Sequence, residues 1–105
     1  MKNPRIAIVL VISILLLTTA AMAADNVAAM YKSKCQVCHG PDGKGDTAIG
    51  KKLGVKGFHS PEVAKMSDAE LITIAKKGKA KMPSFDGKLT DDQIKELVLY
   101  IRHLK

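Results

Sequence analysis

The sequence predicts a small all-α domain of three to four short helices, and three observations carry that prediction. Two Ser/Thr-x-x-Glu/Gln capping boxes each open an apolar periodic run. A glycine-dense tract in the middle of the chain separates helical segments. No stretch after the first 24 residues alternates apolar and polar side chains as a half-buried strand would.

The chain has 105 residues, one small domain at most, and its beginning reads differently from the rest. Lys2 and Arg5 precede a nearly unbroken apolar run from Ile6 to Leu17, followed by small residues and Ala21-Met22-Ala23. This order is that of a secretory signal peptide, so residues 1–23 are expected to be cleaved and residues 24–105 to form the domain. The competing reading is a retained anchor, since Ile6 to Ala24 approaches the ~20 residues that span a bilayer. Removing residues 1–23 lowers the formal charge from +7 to about +5 and leaves an 82-residue domain poor in apolar side chains. Such a domain needs added hydrophobic mass.

Asp25 to Lys34 reads as a short helix, with Val27, Met30 and Tyr31 at helical spacing and Asp25 or Asn26 as cap. It runs into Cys35-Gln36-Val37-Cys38-His39. From Gly40 to Gly57 the chain carries six glycines and Pro41, which predicts a wrapping loop without helix or strand. Ser60-Pro61-Glu62 opens a short turn of helix through Lys65, with proline at the first helical position. Ser67 and Glu70 cap a helix presenting Leu71, Ile72, Ile74 and Ala75 until Gly78 stops it. Lys79 to Phe85 reads as an extended loop through Pro83. Thr90 and Gln93 cap the last helix, where Ile94, Leu97, Val98, Ile101 and Leu104 form one apolar stripe.

The chemistry is concentrated in Cys35-Gln36-Val37-Cys38-His39. Two thiols separated by two residues and followed at once by histidine fit covalent attachment of haem c. Each sulfur can add to one haem vinyl group, and the next imidazole then lies under the iron. A Cys35–Cys38 disulfide would close too small a loop to stabilise much. Thioredoxin-like use expects strands, and zinc needs further ligands. Candidates for the other axial position are Met30, Met66, Met82, His59 and His103. Met30 and Met66 fit core filling, and His103 fits the negative end of its helix. Met82, in a loop beside Pro83, is the favoured ligand, with His59 as its rival.

These residues make the sequence similar to the class I c-type cytochromes, the small bacterial monohaem kind. The resemblance rests on Cys35-x-x-Cys38-His39-Gly40, Asp42-Gly43-Lys44-Gly45, Met82-Pro83-x-Phe85 and the terminal helix from Leu89-Thr90-x-x-Gln93-Ile94 to Tyr100 and Ile101. It implies thioethers at Cys35 and Cys38, His39 and Met82 as axial ligands, and first and last helices that cross with Tyr31 and Tyr100 near the contact. Two departures stand out. Val27 occupies a position where the family usually has glycine, so Ala28 and Ala29 are expected to allow the crossing. Gly50-Lys51 stands where a Gly-Pro carbonyl commonly holds the histidine N–H.

The expected function is therefore a periplasmic single-electron carrier with one haem c, and not an enzyme. Filled axial positions let iron change oxidation state without binding substrate, and a thioether raises the potential relative to a second imidazole. Lys76, Lys77, Lys79 and Lys81 near Met82, with Lys51, Lys52 and Lys56, point to redox partners with acidic docking surfaces. A monomer without nucleic-acid partner or stable membrane insertion completes the expectation. The alternative is a haem c protein whose sixth site is open or labile, binding a small ligand or serving as the haem subunit of an enzyme complex.

Overall fold

The computed structural model describes residues 26–105, and within them no strand occurs. The proposed leader, its cleavage site and the Asp25 cap lie outside the described residues. Six helical segments are present: α1 (residues 26–34), α2 (Gln36–His39), α3 (Ala48–Leu53), α4 (Pro61–Ala64), α5 (Asp68–Lys77) and α6 (Asp91–His103). None of them is long and apolar enough to cross a membrane.

The all-α expectation holds, but the number of helices exceeds three to four, chiefly because α3 forms inside the tract expected to be loop. Thr47 caps it, its side chain accepting from Gly50 N at 2.9 Å, and Gly54 ends it in the left-handed conformation at φ 69°. The density of glycine misled because Gly50 is a packing residue. A Cβ there would press on the carbonyl oxygens of Cys38 and Gly45, so only glycine lets α3 lie against α2.

The two capping boxes form as expected. In α5, Ser67 accepts from Glu70 N and Glu70 reaches back to Ser67 N; in α6, Thr90 and Gln93 do the same. α4 begins at Pro61 without a side-chain cap bond from Ser60. α5 packs on α6, burying Leu71 against the stripe formed by Ile94, Leu97 and Val98. Full burial of each such side chain contributes about 1.5–3 kcal/mol.

Two polar fasteners join elements distant in sequence. Arg102 in α6 pairs with Asp68 at 3.1 Å and donates to the carbonyls of Val63 and Met66, fixing the α4–α5 junction. Lys76 at the end of α5 pairs with Asp91 at the start of α6 at 2.9 Å. The expected meeting of first and last helices is present: the Tyr31 and Tyr100 rings lie 5.3 Å apart, tilted by 50°.

Candidate functional site

The Cys35–His39 segment is shaped by its own backbone. Cys35 N donates to Tyr31 O at 2.9 Å, continuing the α1 ladder, and both Cys38 N and His39 N return to Cys35 O. The two thiols and the imidazole thus sit within about one turn, each half-buried. Burial pushes the Cys35 thiol up to about 11. It stays protonated, which disfavours the thiolate that disulfide exchange or zinc would require. Burial moves His39 the other way, below the ordinary histidine value, so the ring is neutral and keeps a lone pair for a metal.

Three side chains brace this turn. Tyr31, only 1% exposed, donates its hydroxyl to Gly40 O at 2.6 Å, holding the residue after His39. Its own pKa is raised, first by burial and then by neighbours Cys35, Tyr100 and Asp42. Thr47 donates to the carbonyls of Val37 (2.8 Å) and Cys38 (3.2 Å), tying α3 to α2. Phe58 stacks on the His39 ring with centroids 4.7 Å apart and planes 22° from parallel. The Asp42-Gly43-Lys44-Gly45 loop closes over the same end: Gly45 N donates to His39 O at 2.8 Å, and Asp42 accepts from Lys44 N.

The hydrogen bond that the family's Gly-Pro carbonyl commonly makes to the histidine is not made by Gly50 O. His39 Nδ1 is buried without a partner among the described residues. The Gly50 carbonyl is instead used by α3 itself, accepting from Gly54 N and from Val55 N at 2.9 Å. Lys51 N donates to Thr47 O at 2.9 Å within α3, a bond that proline could not make.

Met82 sits on a second, separate turn. Lys79 and Met82 exchange backbone hydrogen bonds of 3.2 and 2.9 Å, and Ala80 turns the corner at φ 52°, a conformation L-residues avoid. So the segment is extended only after Met82. There it is hooked onto the open end of α5: Phe85 N donates to Ala75 O, Asp86 N and Ser84 Oγ to Lys76 O. Gly78, at φ 78°, admits this approach, because a Cβ would lie 2.8 Å from Met82 O and 2.9 Å from Ser84 N.

Among the other ligand candidates, His59 directs Nε2 at the Leu104 carbonyl and follows Phe58, the residue stacked on His39. Met66 is half-buried and lines a cavity of about 420 Å³ with Ala69, Glu70, Thr73, Ile74 and Lys79. Met30 lines a groove between α1 and α6 with Ala29, Gln93 and Glu96, and His103 is exposed at the end of α6. Thr47 and Phe58 escaped sequence reasoning. Thr47 carried a signal, as a capping residue three before Gly50; Phe58 carried only its rarity among four aromatic residues.

Comparison with known proteins decides the family. Residues 22–101 match the family model described as cytochrome C oxidase, cbb3-type, subunit III. The chain belongs to the class I c-type cytochromes. This cytochrome is 36% identical over 98 residues to cytochrome c6 of Thermosynechococcus vestitus, covering 91% of the chain and 82% of that protein. Cytochrome c6 of Thermostichus vulcanus matches to the same extent. Among solved structures, the KustC0563 c-type cytochrome aligns with a TM-score of 0.67 and 36% identity, covering 74% of this chain and 95% of that one. The cytochrome is accordingly a haem c electron carrier rather than an enzyme, moving electrons between redox partners.

The residues fit that cofactor. Two free thiols within one turn and a neutral imidazole beside them are the groups that covalent haem c requires.

Proposed function

We propose that this cytochrome is a periplasmic single-electron carrier in which Cys35 and Cys38 form the thioethers, and His39 and Met82 are the axial ligands. Bound in that way, haem c supplies a one-electron iron couple. The carrying observation is the Cys35–His39 turn itself, which presents two free thiols and one neutral imidazole together. The chain's residues then do three things. Burial keeps His39 unprotonated, so its lone pair is available without competition from a proton. The hooks from residues 84–86 onto α5 hold the Met82 turn in place, which reduces ligand motion when charge changes. The side chain of Met82, half-buried, offers a thioether that His59, engaged with Leu104, does not displace.

Docking of redox partners follows from charge. Lys77, Lys79 and Lys81 are exposed around the Met82 turn, whereas Lys76 is occupied by Asp91. Val37, 58% exposed beside Cys38, and Ile49, 46% exposed, add an apolar contact flanked by Lys51 and Lys52. Such a surface favours acidic partners and brief encounters. Residues 1–23 are the leader that exports the chain, leaving residues 24–105 as a monomeric domain.

The test is the visible spectrum of the purified, chemically reduced protein with and without carbon monoxide, repeated for Met82→Ala. Sharp haem c bands that ignore the gas in the natural protein and respond to it in Met82→Ala are expected. Bands that respond in both would remove Met82 from the iron and favour a ligand-binding haem protein. A mature chain beginning after residue 23 checks the leader.

A further inference from the structure

We infer that Phe58 is the positioning residue for His39, and that the C-terminal residues hold Phe58 in place. The inference rests on the haem reading and goes beyond it, because it concerns how the imidazole plane is set. Rotation of an imidazole about its last side-chain bond is soft, so a metal-bound histidine needs an outside constraint. That constraint is ordinarily a hydrogen bond at the second ring nitrogen. Here His39 Nδ1 has no partner among the described residues, and the Gly50 carbonyl is committed to α3. What contacts the ring is the face of Phe58, 4.7 Å away and nearly parallel. Any rotation of the imidazole about that bond would open the stack.

Phe58 is itself held on three sides. Its backbone N donates to Gly43 O at 2.9 Å. Its ring presses on Gly43, where a Cβ would lie 2.5 Å from Cδ2, and meets Tyr31 edge-on at 6.3 Å. Leu104 Cδ1 lines the same space, 3.5 Å from where a Cβ on Gly43 would lie, and the Leu104 carbonyl accepts from Nε2 of His59, the next residue after Phe58. Leu104 thereby borders the Gly43 space that the Phe58 ring fills and is tied to the residue that follows Phe58. An imidazole without a hydrogen bond at its second nitrogen is also a weaker donor to its metal than one with it.

The experiment uses the full-length protein matured with haem. Proton spectra of the oxidised form report the paramagnetically shifted haem-methyl signals, whose order and spread follow the orientation of the axial ligand planes. Phe58→Leu is expected to change that order or spread, Phe58→Tyr to restore it, and Leu104→Ala to move it in the same sense by less. Val98→Ala, a core change away from His39, is expected to lower the melting temperature while leaving the pattern intact. Wild-type patterns in both Phe58→Leu and Leu104→Ala, or a change in Phe58→Leu equalled by Val98→Ala, would overturn the inference. Should Phe58→Leu not accumulate, Leu104→Ala decides alone. Absence of haem from the natural protein would instead remove the haem reading, a failure visible before any variant is made.

Discussion

The turn bearing His39 and the turn bearing Met82 solve the same problem by different means. Around His39 the backbone is gripped by side chains: the Tyr31 hydroxyl on Gly40, the Thr47 hydroxyl on Val37 and Cys38, the Phe58 ring on the imidazole. Around Met82 the grip is mainly backbone, three donors reaching the last carbonyls of α5, with one strained corner at Ala80. Each half depends on one glycine that lets a carbonyl come close, Gly50 for the first and Gly78 for the second. The first half is half-buried and specified by particular side chains. The second is exposed and specified by shape, so it tolerates substitution except where backbone conformation is at stake.

Gly50→Ala gives the largest expected effect. The added methyl meets Gly45 O at 2.6 Å and Thr47 Oγ1 at 2.9 Å as well as Cys38 O, all of them fixed. A loss of about 3 kcal/mol in denaturant unfolding is expected, the upper end for overpacking. A loss below about 1 kcal/mol would mean that α3 can slide on α2 and that the half is less rigid than its contacts imply. Gly78→Ala comes next, with about 2 kcal/mol expected from its positive φ and the approach of Met82 O. Its effect should be smaller because the loop it touches is exposed and can yield.

Tyr31→Phe removes the hydroxyl bond to Gly40 O, which keeps Gly43 N as a donor, for about 0.5–1.5 kcal/mol. Its pH dependence carries a sign. Burial raises the Tyr31 pKa, so the folded state holds the proton more tightly than the unfolded state. That contribution is fully present below the ordinary tyrosine value of about 10 and is lost as pH rises above it. Alkaline unfolding of the natural protein should therefore steepen beyond that point, and Tyr31→Phe should flatten the limb; an unchanged limb would place the alkaline sensitivity elsewhere. The smallest effect is Ala80→Gly, a gain of about 0.5 kcal/mol, since relief of the left-handed strain is offset by the glycine's greater freedom when unfolded. A loss of stability would show that the Met82 corner is not strained.

The same contrast explains what could be read from the sequence. The capping boxes at Ser67-Glu70 and Thr90-Gln93 are local patterns that appear as expected, and of the expected stripe Ile94, Leu97 and Val98 are buried, whereas Ile101 is half-buried and Leu104 lies past the end of α6. The Cys35-x-x-Cys38-His39 spacing was legible because attachment chemistry needs it within one turn. α3 was not, since Gly50 counts as a helix breaker until the carbonyl of Cys38, twelve residues earlier, is seen against it. The Phe58 stack joins residues 19 apart with no pattern between them. Whether Gly50 O would hold His39 was not legible either, because a carbonyl's availability depends on what its own helix does with it.

The tilted pair of Tyr31 and Tyr100 has an optical consequence. The chain contains no tryptophan, and its two tyrosines are this pair, one from the first helix and one from the last. Near-ultraviolet emission from the polypeptide thus arises from a single place, where the two ends of the domain meet. With haem bound, energy transfer to the porphyrin quenches both rings, so their emission rises only when the pair moves away from the cofactor, a readout of the domain's closure that needs no added label.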